Sequence, residues 1–423
     1  MLVEFSVGNF RSFKERVTLS MEAAEIASQP PSLDTRNVFT VDDELCLLTS
    51  AAIYGANASG KSNLIKALGF MRNLVLSSSR ETQAGEPIAV EPYRLSTVTE
   101  QQPSEFEIIF LLDDTHYRYG FTVSTERIVS EWLYQQGSAR EITLFSRTTN
   151  SIKVNVRAFR EGRGLEERTR PNALFLSVVA QFNGATAVNI VRWHESLVIG
   201  AGPADLADML NAIQHFELPA YQSAIVDLIK RLDVGIDGIQ LERLPTASSS
   251  NSIALVLKTL HSKRNAAGVV VSYEALNMLE HESAGTQRLF ALAYPLLRAL
   301  HDSSVLVIDE LDARIHPNLV SELIRLFQDS ATNPHHAQLI FTTHNTSLLR
   351  AKLFRRDQVW FVEKSRQGAS DLYSLVEYRV DGKIIRNDAS FEKDYVAGRY
   401  GAVPFIGDLA ELLETEHEPA TSR

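Results

Sequence analysis

Residues Gly55-Ala-Asn-Ala-Ser-Gly60-Lys61-Ser62 follow the pattern G-x-x-x-x-G-K-[ST]. Glycines at 55 and 60 let the backbone curl until its N–H groups face one point, and a helix beginning there adds partial positive charge, an arrangement suited to phosphate oxygens. Lys61 brings a point charge to terminal phosphates and Ser62 a hydroxyl for Mg²⁺, with Asn57, Ser59 and Asn63 in or beside the loop. A chance run of small residues would match this pattern only on the order of a per cent of the time in a chain this long, given average glycine usage of about 7%.

Much further along the chain, the apolar run Val305-Leu-Val-Ile308 ends in Asp309 and Glu310. Carboxylates at the carboxyl end of a buried strand sit where open α/β sheets bind ligands. Asp309 can hold Mg²⁺ through its water shell, and Glu310 can polarise a water for attack on a γ-phosphate. Standing alone, the pair reads equally well as a strand ending in solvated acids. His344 follows another apolar run, QLIFTT, and Asp312 lies just beyond Glu310. A lone histidine is more often a core or surface residue than a catalyst.

These residues need elements to position them. The continuous apolar run Leu47–Tyr54 predicts a strand buried on both faces, feeding the loop and a helix-period stretch from Lys61 to Leu76. Residues 2–21 alternate apolar and polar and predict two strands around the FRSF turn, and 93–156 predict an antiparallel meander. Residues 203–233 switch to a helical period, broken at Leu218-Pro219, and a Ser-rich linker at 246–252 precedes two more strand-like runs. From Thr286 onward helices alternate with the apolar runs at 305–308, QLIFTT and 359–362, which predicts a parallel sheet.

The 423 residues correspond to two or three domains of ordinary size. A net charge of −10 disfavours a chain that coats a polyanion, although residues 140–170 hold eight Lys/Arg against four Glu. A solvated strand face is the commoner reason for such a stretch. A single cysteine, Cys46, excludes an internal disulfide and fits a reducing compartment, so the cytoplasm is expected. The uncharged run 171–191 carries too many polar groups to span a membrane, and the amino terminus lacks the layout of a signal peptide.

The order of the pieces resembles the ABC-type ATPases. His344 stands where that superfamily has its switch histidine, Asp312 falls in its D-loop, and Glu282-Ser-Ala-Gly-Thr-Gln287 occupies the place of its Ser-Gly-Gly signature. Here Ala284 replaces the first glycine of the signature and Thr286 stands where Gln, Glu or Lys is common. NFRSF at 9–13 is similar to the opening of the SMC, RecF and OLD branch, where Arg11 and Ser12 would lie near adenine and ribose. The closing stretch Lys393–Pro404 resembles that of small bacterial ATPases of the RloA/AbiLi kind, linked to abortive infection and phage defence.

The resemblance implies an α/β ABC-ATPase-like head with a mixed or parallel sheet core, a β-meander lobe and a helical insertion. Its expected parts are residues 1–183 and 253–423 of the head and a helical lid at 184–252. It implies ATP and Mg²⁺, with Glu310, His344 and Lys61 catalytic and Ser62 and Asp309 on the metal. Gln181 is the expected Q-loop glutamine at that metal, with Gln83 and Gln101 as alternatives. A head-to-tail dimer is implied, in which Ser283 and Gly285 of one subunit reach the phosphates held by Gly60, Lys61 and Ser62 of the other. An effector encoded nearby is the expected partner, and nucleic acid remains a possible one. The competing readings are a RecF-like DNA clamp and an ATP sensor that does not hydrolyse. No Asp/Glu/His cluster beyond His344 suggests a fused nuclease.

Overall fold

The computed structural model describes residues 1–137, 140–200, 206–232, 235–245, 253–380, 383–384 and 390–404. The Ser-rich linker and the acidic tail beyond Asp408 fall outside them.

A six-stranded sheet organises the molecule, in the order Val198–Gly200, Val305–Ile308, Gln338–Thr342, Ser50–Tyr54, Val359–Lys364, Ser370–Ser374. Neighbours are parallel except for the last, antiparallel pair. Strands 50–54, 305–308 and 338–342 are buried at every position, as their unbroken apolar runs require of strands covered on both faces. The phosphate-loop strand, Ser50–Tyr54, is flanked by two strands that lie more than 280 residues later in the chain.

The second sheet has seven antiparallel strands. The meander from Ser104 to Val154 supplies five, and Leu2–Gly8 with Val17–Ser20 continues its edge. The tight turn from Leu112 to Thr115 places Asp113 and Asp114 at φ 49° and 57°, the left-handed pair that a two-residue hairpin needs. Between the sheets runs the phosphate-loop helix, Lys61–Ser77, which buries Leu64, Ile65, Leu68, Met71 and Val75. One core therefore takes in both sheets, with Phe106 and Phe110 from the meander and Ile53 and Ile340 from the parallel sheet.

A second core covers the opposite face of the parallel sheet. Leu306, Ile308 and Phe341 pack there beneath helices Ala284–Asp302 and Pro317–Gln328. The helices Leu206–Phe216 and Pro219–Leu232 join the same core through Ile213, Phe216, Ile225 and Ile229.

The structure draws the insertion more tightly than the expected 184–252. Helix Ala185–Ser196 buries Ala187, Ile190 and Trp193 in the first core, and Val198–Gly200 pairs in parallel with Leu306–Ile308. Residues 184–200 thus form a crossover helix and edge strand of the head, and the loss of β pattern after the meander marks that crossover. Gly238–Pro245, Ile253–Arg264 and Val270–Asn277 form one three-stranded sheet across the expected boundary at 252.

Candidate active site at the edge of the parallel sheet

Register brings the chemistry together. Ile308 pairs with Phe341 and Thr342 with Ile53, so the carboxyl ends of three adjacent strands release Asp309-Glu310, Thr343-His344 and Gly55 at one edge.

Gly55 has no room for a side chain, because a Cβ there would meet the Val362 carbonyl and sit 2.6 Å from Ser59 Oγ. Gly60 has φ +120°, and a Cβ would fall 2.7 Å from Ser12 Oγ and against Ser370 Oγ. The loop ends as the N-terminus of the 17-residue helix Lys61–Ser77. Asn63 Nδ2 donates to Ser12 Oγ at 2.8 Å, and Ser370 N–H donates to the Ser12 carbonyl at 2.7 Å. The FRSF turn is thereby fastened to the loop. Arg11, at φ 50°, donates to Glu91 Oε1 at 2.7 Å, and its N–H reaches the Glu91 carbonyl.

Lys61 is buried, and its Nζ donates to the carbonyls of Gly55 at 2.8 Å and Ala56 at 2.9 Å. Burial pulls its pKa down to about 8, against Asp309, Glu310 and Asp312, whose charges raise it. Thr342 Oγ1 donates to Asp309 Oδ1 at 2.6 Å and accepts the Glu310 N–H at 2.7 Å, locking the two acids to the neighbouring strand. Glu310 itself sits at φ 51°, a left-handed conformation that a non-glycine residue adopts at a cost. His344 N–H donates to Asp312 Oδ2 at 3.3 Å. Burial first, and then the Lys61 charge, lower the His344 pKa despite the three acids. The imidazole is therefore neutral at neutral pH.

The donor set fits a magnesium nucleotide. Ser59 Oγ, inside the loop, and Asp312 Oδ1, just beyond the acid pair, are buried without a hydrogen-bond partner. Among the described residues no three His, Cys, Asp or Glu gather into a metal cage. Mg²⁺ needs none, since it keeps several waters and takes one or two protein oxygens plus phosphate. Ser62 and Asp309 are the residues here that would supply them. Asn57 lies exposed in the loop.

The signature residues lie elsewhere, before the helix Ala284–Asp302. Ser283 is its N-cap, accepting the Thr286 N–H at 3.1 Å, and is exposed. Gly285 packs so closely on the D-loop that a Cβ would fall 2.7 Å from the Arg314 carbonyl. Gly285 thus has a packing reason within its own chain besides any contact across subunits.

Gln181 is not brought to Ser62. It ends helix Phe175–Gln181 and lines a groove with Val75, Leu76, Ser79 and Arg80, at the far end of the phosphate-loop helix. Seventeen residues at about 1.5 Å each separate the two ends by roughly 25 Å. A position after the meander therefore does not make Gln181 a metal ligand in this fold, because the chain there turns back along the helix. Gln83 lies past the same end, its carbonyl bound to Asn172, and Gln101 belongs to the short turn whose Thr99 carbonyl Asn9 holds.

The basic stretch is partly architectural. Arg147 is buried against the carbonyls of Ala173, Arg170 and Pro171, and Arg170 reaches those of Ser78 and Ser79.

Three positions were not singled out in the sequence. Thr342 was visible only as a hydroxyl ending an apolar run, and Ser370 lies on the last strand of the sheet. Tyr395, on helix Phe391–Val396, packs its ring 5.7 Å from Tyr54 and 5.2 Å from Phe361, so the closing stretch buttresses the strand that enters the loop.

Comparison with the curated proteins gives no match. Among solved structures, the SMC head domain from Thermotoga maritima is similar at 16% identity, with 88% of this chain and 98% of that one covered and a TM-score of 0.41. Residues 50–350, more than two-thirds of the chain, match the family model described as "AAA domain, putative AbiEii toxin, Type IV TA system", and the chain belongs to that ATPase-class family.

Proposed function

We propose that the protein hydrolyses ATP with Mg²⁺ and uses the nucleotide to control its own association and, through it, an effector. The observation that carries this reading is the meeting of phosphate loop, acid pair and His344 at one sheet edge.

In this reading the loop amides and Lys61 hold the β- and γ-phosphates, exchanging the two carbonyls Lys61 now binds for phosphate oxygens. Ser62 and Asp309 would hold Mg²⁺, which when bound would supply charge neutralisation at the phosphates. Glu310 accepts a proton from the attacking water, its backbone fixed by Thr342. His344, neutral and at the same sheet edge, orients that water and donates to the γ-phosphate. Ser12, tied to the loop through Asn63, and Arg11, held by Glu91, border the nucleoside.

Ser283, exposed at a helix N-terminus, supports an ATP shared between two copies of the chain. The family's description as a toxin of a type IV toxin–antitoxin system supports a two-component setting. Together with the closing stretch at 393–404 it favours control of an effector in anti-phage defence in the cytoplasm. No helix among the described residues is long and apolar enough to cross a membrane.

Two measurements test the reading. Phosphate release by the wild type with Mg²⁺ and ATP should fall at least a hundredfold in Glu310→Gln, and a wild type without turnover sinks the enzymatic claim. Light scattering should show Glu310→Gln with ATP shifting to a dimer or larger, and Ser283→Arg abolishing the shift. Unchanged mass in both refutes the shared site. Turnover stimulated by duplex DNA, with steep salt dependence, would instead favour a clamp on DNA.

A further inference from the structure

Among the described residues Arg288 is the largest fully buried side chain, 1% exposed, on the signature helix just past Ser283 and Gly285. None of its three guanidinium nitrogens has a hydrogen-bond partner among the described residues. Its nearest opposite charge is Asp208 Oδ2, 3.6 Å from Nη1, on the first helix of the insertion. A guanidinium carries five N–H donors, and a buried charged donor left without an acceptor is costly, so a purely structural arginine would not be expected here. The fully buried Glu131, satisfied by one hydroxyl and two backbone N–H groups, shows that this chain can pair a buried charge when its role is architectural.

The surroundings of Arg288 join three parts of the site. Burial lowers its pKa; Asp208 is the strongest charge holding it up, Arg314 of the D-loop opposes, and Glu310 and Asp309 both attract it. The helix that carries it touches the D-loop through Gly285 and the insertion helices along its length. Ser283 caps the helix three residues before Thr286 and five before Arg288, so a phosphate bound at Ser283 would act on the helix that carries the guanidinium. One ion pair at 3.6 Å leaves the guanidinium's N–H donors unused, and the acid turn reaches the same helix, since the Glu310 carbonyl accepts the Ala313 N–H at 3.0 Å and Arg314 packs against Gly285.

We propose that Arg288 is a positioning residue that passes from Asp208 of the insertion to Glu310 when the signature helix shifts, aligning the carboxylate that accepts the water's proton. The insertion at 206–232 thereby restrains hydrolysis: while Asp208 holds Arg288, Glu310 lacks its alignment. This rests on the hydrolytic reading above. It adds a residue to that machinery and a direction to the insertion's influence.

The experiment uses the full chain and measures phosphate release, the Kd of a fluorescent ATP analogue, and Tm. Asp208→Asn, which frees Arg288 without removing it, should raise kcat severalfold at unchanged Kd. Arg288→Gln should lower kcat tenfold to a hundredfold with Kd within twofold, and Arg288→Lys should recover part of that loss. In the double variant, Asp208→Asn should lose its activating effect. Should Arg288→Gln not fold, the sign of the Asp208→Asn effect still decides. A wild type that turns over while Asp208→Asn is unchanged or slower overturns this inference alone, as does Arg288→Gln losing Tm with kcat intact. A wild type with no turnover overturns the hydrolytic reading and the inference with it.

Discussion

The meander lobe and the ligand edge of the parallel sheet both bury charge, in opposite ways. In the lobe, Glu131 is fully buried and accepts from Tyr119 Oη at 3.1 Å, Phe175 N–H at 2.7 Å and Leu176 N–H at 3.0 Å, with Arg147 Nη1 3.5 Å away. It caps the start of helix Phe175–Gln181 and joins that helix to the sheet. At the ligand edge, Lys61 rests on two carbonyls, Ser59 Oγ and Asp312 Oδ1 have no partner, and Glu310 holds a left-handed backbone. The lobe spends its polar groups on structure, whereas the ligand edge keeps bonding capacity in reserve for something that arrives.

The largest test of that contrast is Glu131→Ala, which removes the carboxylate facing Arg147 and leaves the Tyr119 hydroxyl and two backbone N–H groups buried without their acceptor. It should cost about 3–5 kcal/mol in chemical denaturation, because breaking one side of a buried pair strands the other. Loss of less than about 1 kcal/mol would mean that the lobe's charge is no more structural than the site's.

His194 probes the base of the lobe through pH. It is fully buried beside Phe110, Tyr119 and Trp193, with Nδ1 2.9 Å from the Ile190 carbonyl, and burial pushes its pKa down to about 4. An unfolded histidine titrates near 6.5, so the unfolded chain takes up the proton first as pH falls. Stability is therefore complete above about 6.5 and declines toward 4, by about 3 kcal/mol from this group. The difference in Tm between wild type and His194→Gln should shift against the wild type across that window; a constant difference refutes the assignment.

Thr342→Val removes the hydroxyl that holds both acids. It should cost about 1–3 kcal/mol, since the Glu310 N–H loses its acceptor, and should lower kcat more than it raises KM. A raised KM with kcat unchanged would make Thr342 a ground-state contact instead.

The smallest effect has the opposite sign. Lys61→Met keeps the volume and deletes a buried charge, so it should raise Tm by a few degrees, about 1 kcal/mol, while ATP binding is lost. A Tm that falls would place Lys61 with Glu131 among the architectural charges.

Much of this was legible beforehand, for local reasons. The runs at 50–54, 305–308 and 338–342 are apolar at every position because both faces are covered, and the glycines at 55 and 60 announce a backbone that no other residue would follow. Gln181 was misplaced because spacing along the chain gave no sign that the crossover after the meander runs antiparallel to the phosphate-loop helix. Arg288 was invisible for a related reason. Nothing in a helix-period stretch shows which charge faces inward, and its partner Asp208 lies 80 residues away in what reads as a separate insertion. Serines 12 and 370 close on Gly60 only through tertiary contact between the two ends of the chain.

The strand order has a consequence for synthesis. The phosphate-loop strand leaves the ribosome early, yet both of its neighbours, Gln338–Thr342 and Val359–Lys364, emerge only after most of the chain. Until then the meander can close on itself, but Ser50–Tyr54 has nothing to pair with, and the loop it carries has no wall. Nucleotide competence is thus acquired late in translation, and a chain interrupted anywhere in its middle yields a β lobe carrying a phosphate-loop sequence without a phosphate site.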